Sequence, residues 1–74
     1  MHVQIVMDGR GDTRHEFDAC DVASVALAAA RFEELTGKGL RAVAFGETQG
    51  SAELMRAFDP NVERTLFIPQ LMGG

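Results

Sequence analysis

The chain has 74 residues, 46% of them hydrophobic and 24% charged, with a formal net charge of −4. At this length a single domain buries only about 60% of the surface its unfolded chain exposes, enough for one modest core and no deep enzyme cleft. The acidic balance argues against a nucleic-acid binder, and a lone cysteine, Cys20, excludes an internal disulfide and points to a reducing cytoplasm. No apolar run approaches the length of a membrane span, and no export signal opens the chain.

The opening "MHVQIVM" alternates with a period of two. Met1, Val3, Ile5 and Met7 share one face and His2, Gln4 and Val6 the other, the pattern of a half-buried strand. "DGRGD" reads as a tight turn, including the Arg10-Gly11-Asp12 tripeptide, for which a hairpin turn is the simpler reading than a receptor-binding loop. "TRHEF" then places Thr13, His15 and Phe17 on one face and Arg14 and Glu16 on the other, so residues 1–17 form a β-hairpin.

After Asp18 the period changes. Asp18 or Asp21 caps a helix, and in "VASVALAAARFEELT" Val22, Val25, Ala26, Ala29 and Phe32 recur at helical spacing. The alanines let this helix lie close to a sheet, and Gly37 or Gly39 supplies its left-handed stop. "LRAVAFG" is a third strand. Residues 47–60 are ambiguous: Leu54, Arg56 and Phe58 alternate as in a strand, whereas Leu54, Met55 and Phe58 also fit one helical turn. Asp59-Pro60 marks a turn under either reading. "ERTLFIPQL" is the last strand, with Leu66 and Ile68 opposite Thr65, Phe67 and Pro69. The order gives a two-layer α+β domain, a mixed sheet of four to five strands on one helix, in which the last strand pairs in parallel with the first at mid-sheet.

That order resembles the β-grasp of the ubiquitin-like family. "MHVQIVMDGRGDTRHEF" resembles the hairpin of that family in its start, turn position and length, "CDVASV" its Asp-led helix start, and "LRAVAFG" its third strand. The ending "LFIPQLMGG" resembles the apolar-apolar-Pro-x-apolar-x-Gly-Gly tail of the molybdopterin-synthase small subunit, with Pro69 in the matching place, and the thiamine sulfur carrier also ends in Gly-Gly. The ubiquitin tail carries arginines before its glycines, whereas Gln70, Leu71 and Met72 stand here. An activating enzyme that reads arginine would not read this tail.

The resemblance implies a β-grasp domain over residues 1–70 and a flexible tail over 71–74. Gly73 and Gly74 would be the conjugation terminus, with Pro69, Gln70, Leu71 and Met72 as the recognised tail. A carboxylate is a poor electrophile until adenylated, and glycines without a Cβ can thread a narrow channel. Four extended residues, Leu71 to Gly74, would reach about 13 Å. On this reading the protein is not an enzyme and holds no cofactor. ATP is used by a partner activating enzyme, with a conjugating enzyme and a deconjugating protease as further partners.

The resemblance to ubiquitin implies a protein modifier joined to target amines. The tail implies instead a sulfur carrier with a C-terminal thiocarboxylate, delivering to a sulfur acceptor. A noncovalent β-grasp module is a third reading. A single lysine, Lys38, limits self-modification and favours the modifier; in a bacterial source, a conjugation operon acting in phage defence would be its setting.

Because one helix covers one sheet face, apolar side chains on both faces of strands three and five leave a patch for a partner, with Val43, Phe45, Phe67 and Ile68 as candidates. A second copy, or the ambiguous segment, is the alternative cover. His2 and His15 lack companions at metal-ligand spacing, so no metal site is expected. Cys20 reads as a small residue near the helix start.

Overall fold

A computed structural model describes residues 1–8, 11–45 and 52–69. Two strands, β1 (His2–Asp8) and β2 (Gly11–Phe17), precede one helix, α1 (Val22–Gly37). Three further strands follow, β3 (Leu40–Phe45), β4 (Ala52–Met55) and β5 (Arg64–Pro69). They form one sheet in the order β2-β1-β5-β3-β4. β1 and β5 pair in parallel at the centre, and the other neighbours are antiparallel. This is an α+β domain with the β-grasp arrangement.

Local chemistry explains the element boundaries. β1 and β2 pair from His2 opposite Phe17 to Asp8 opposite Gly11, leaving Gly9 and Arg10 as the connection, outside the described residues. Asp21 is the N-cap, its carboxylate accepting from the Ala23 N–H at 3.2 Å. Asp18 organises the approach: its Oδ1 accepts from the Cys20 N–H, and its own N–H donates to Ser24 Oγ, both at 2.9 Å. At the other end, the Lys38 and Gly39 N–H groups donate back to the carbonyls of the last turn. Gly39 then turns the chain into β3 with φ of +100°, an angle that a side chain would strain.

The core lies between α1 and one sheet face. Phe32 and Phe67 meet edge-on at 5.7 Å, and Val6 and Ala42 complete the buried cluster. Phe58 reaches this face from the loop after β4, packing 5.9 Å from Phe32 and 6.0 Å from Phe17. Of the ambiguous stretch 47–60, residues 47–51 lie outside the described residues, and 52–60 form a short strand followed by a bend whose anchoring aromatic lies on the helix side. Ala28 is wholly buried, which lets the helix approach the sheet closely.

The helix is rotated relative to the periodicity expected of it. Ala28 and Phe32 are buried and Val25 and Ala29 partly so, but Val22 is 85% exposed and Ala26 faces solvent. With alanine on every side, helical spacing alone sets no unique inward stripe, and the position of Phe32 fixes it.

Two polar residues are buried in the sheet, and both are satisfied. Gln4 is fully buried: its Nε2 donates to the Ala28 carbonyl at 3.0 Å, and its Oε1 accepts from Arg31 Nη1 at 2.9 Å. Thr65 Oγ1 donates to Met55 Sδ at 3.8 Å. His15 stands opposite Gln4 on β2, where partial burial and then the Arg31 charge lower its pKa below the ordinary 6.5.

Candidate functional site

Two features of this fold bear on function: the strand that leads to the diglycine segment, and the sheet face without a helix. β5 is held on both sides, by β1 and by β3, so it is a rigid central element. Its last residue, Pro69, pairs with Leu40 and is exposed. Proline ends a ladder cheaply at this position, since it offers no N–H to a neighbour. Gln70, Leu71, Met72, Gly73 and Gly74, and with them the tail expected over 71–74, lie outside the described residues.

The second feature follows from the strand period. On β5, Thr65 and Phe67 face the helix, so Leu66 and Ile68 face away. The register carries this across the sheet. Ile5, Leu66 and Val43 lie side by side, and Leu54 follows on β4. Ile68 sits beside Arg41, and Phe45 beside Arg64. Of the patch expected from sequence, Val43, Phe45 and Ile68 do share this open face, each half-buried.

Phe67 does not belong with them. It has no exposed surface and packs against Phe32, because neighbouring residues of a strand point to opposite sides. Ile5, Leu54 and Leu66 take its place, a set found from the register of the four strands β1, β5, β3 and β4. Of the strand aromatics, Phe17 and Phe67 face the helix and Phe45 does not.

The open face carries charges of both signs around its apolar row. Arg14, on β2 opposite Ile5, Arg41 and Arg64 are all exposed there, with Asp12 and Glu16 on the outer strand and Glu63 just before β5. Among the described residues no carboxylate lies within ion-pair distance of these guanidinium groups, while the surface pair Lys38–Glu34 spans 3.7 Å. Asp12 and Glu16 share the outer strand with Arg14. A cleft of about 250 Å³ opens on this face between Met1, Val3, Ile5, Arg14, Glu63 and Arg64.

A larger open cleft, about 420 Å³, lies at the end of the sheet and is lined by residues including His2, Glu53, Asn61 and Glu63. Ala44 and Phe45 also line it, next to the segment 46–51, which is outside the described residues. His2 is engaged in stacking on Phe17 at 5.5 Å. Among the described residues, no group of three His, Cys, Asp or Glu side chains is placed to hold a metal ion. Cys20 is exposed. No described helix is long and apolar enough to cross a membrane.

Comparison with protein-family models, curated protein sequences and solved structures gave no match.

Proposed function

We propose that this chain is a protein modifier of the ubiquitin-like kind, working through a Gly74 carboxylate. The observation that carries the reading is the position of β5. It is a central strand, locked between a parallel and an antiparallel neighbour, and it leads directly into the Gln70–Gly74 segment. A rigid body feeding a slender, glycine-ended segment suits delivery of an acyl carbon into another protein's site.

The chemistry belongs to partners. A Gly74 carboxylate oxygen attacks the α-phosphorus of ATP in an activating enzyme, pyrophosphate leaves, and an acyl adenylate forms. An enzyme thiolate displaces AMP to give a thioester. A target amine then attacks the acyl carbon, the thiolate leaves, and an amide remains. Pro69 and residues 70–72 would guide the tail into that enzyme, with ATP as its cosubstrate. A cytoplasmic setting fits the free cysteine. The phage-defence setting is part of the same proposal and follows only from a bacterial source.

The test compares an N-terminally tagged full chain with one lacking Gly73 and Gly74 in the native host. Tail-dependent, thiol-resistant bands of higher mass on denaturing gels are expected. The second reading, a sulfur carrier, is favoured by the Pro69 tail pattern; it predicts no such bands and an oxygen-to-sulfur mass change at the terminus. Identical behaviour of both chains would favour a noncovalent module.

A further inference from the structure

This small chain has apolar surfaces on two opposite sides. One is the open sheet face, with the row Ile5, Leu66, Val43 and Leu54 and the exposed arginines Arg14, Arg41 and Arg64 around it. The other is the outer side of α1. Val22 is 85% and Leu27 66% exposed, and Ala23, Ala26 and Ala30 between them also face solvent.

A helix that meets water on one side ordinarily carries charged residues there. The outer side of α1 carries none from Val22 to Ala30, while its ends are acidic, with exposed Asp21 before it and Glu33 and Glu34 near its close. The helix is thus apolar both inward and outward, as suits one lying between two sheets. Inward, Ala28 already permits close approach to its own sheet. Outward, Ala26 and Ala30 offer the same clearance to another.

We propose that the open sheet face of one copy receives the outer side of α1 from a second copy, head to tail. The charges match in sign: acidic groups at both ends of the helix meet the arginines around the apolar row. The like-charged exceptions are Lys38 beside Glu34 on the helix side, and Asp12, Glu16 and Glu63 on the sheet side. The dimensions match too. Sixteen helical residues span about 24 Å, and five strands span about 19 Å.

Such a contact joins unlike surfaces, so it repeats into a chain or closes into a ring. The smallest specific contacts bury about 500 Å² per partner. This is roughly a tenth of the 5194 Å² surface here, so association is weak and depends on concentration. None of this depends on the fate of Gly74.

The test is sedimentation velocity of the full chain from about 10 µM to about 1 mM, at low and high salt. The average mass should rise with concentration and fall with salt. Leu27→Glu blocks the helix side and Leu54→Glu the sheet side; both residues are exposed, so the fold should tolerate the change. Each variant alone should be monomeric. An equimolar mixture should form a heterodimer and nothing larger, because each variant retains the surface that the other lacks. Ala30→Glu, which keeps a good helix former at an exposed position, should behave as Leu27→Glu does. A wild-type chain monomeric throughout overturns the proposal. So does self-association by either variant alone, which would mean like surfaces pairing, or a mixture that stays monomeric.

Discussion

The two faces of one sheet differ in what completes them. On the covered face, Phe67, Phe32 and Phe58 form an aromatic cluster, closed by Val6 and Ala42, and even Gln4 is drawn in by bonds to Ala28 and Arg31. On the open face Ile5, Val43, Leu66 and Ile68 are half-buried by their neighbours, Val3 is buried and Leu54 exposed, with Arg14, Arg41 and Arg64 around them. The lesson is that apolar content does not define the core in a chain this small. A single helix does, and the side chains it leaves uncovered remain available for contact.

Substitutions at adjacent residues test this contrast. Phe67→Ala empties the space against Phe32 and should cost about 3–5 kcal/mol. That approaches the whole stability of a small domain. Ile68→Ala, one residue on, should cost under about 1.5 kcal/mol, because its side chain is already partly in water. Denaturant midpoints at constant slope measure both. Equal losses would mean that the two faces are equally structural.

Gln4→Leu should fall between those values, at about 1–3 kcal/mol, since it strips the partner from the Arg31 guanidinium and the added contact from the Ala28 carbonyl. A neutral outcome would show that leucine packing offsets both bonds. Asp21→Ala, which removes the helix cap, should cost about 1 kcal/mol.

The smallest effect is that of pH. His15 has a folded pKa below its unfolded value, so the unfolded chain takes up the proton more readily. Stability should therefore fall as pH drops through about 6.5 and level off below the folded pKa. His15→Gln should flatten that part of the profile. A slope unchanged by the substitution would assign it to other groups.

Much of the fold was legible in the sequence because period and punctuation agreed. The hairpin rests on local chemistry, and so do a cap at Asp18 or Asp21 and a stop at Gly37 or Gly39, of which the structure uses Asp21 and Gly39. The parallel pairing of β1 with β5 followed from the order of the elements. What was not legible depended on contacts between distant elements. An alanine-rich helix does not announce which side faces in, so Val22 and Ala26 read as buried although they are exposed. Alternation separates Gln4 from Ile5 without saying which side the helix covers. The bonds between Gln4 and α1, and the burial of Val6 with Phe32, decide it. Alternation puts Phe67 and Ile68 on opposite faces, so one patch cannot hold both, whereas the arginines of the open face come from three strands far apart in sequence. The tail remains a sequence motif, recognised by its residues alone.

The measurement that tests the central proposal most directly is the chemical state of Gly74 in the native host. The N-terminally tagged chain would be isolated under denaturing conditions and digested, and peptides bearing Gly74 sequenced by mass spectrometry. Gly74 should be found joined through an amide to a lysine or N-terminal amine of another protein. Recovery of Gly74 only as a free carboxylate or a thiocarboxylate, or followed by further residues, would contradict the proposal.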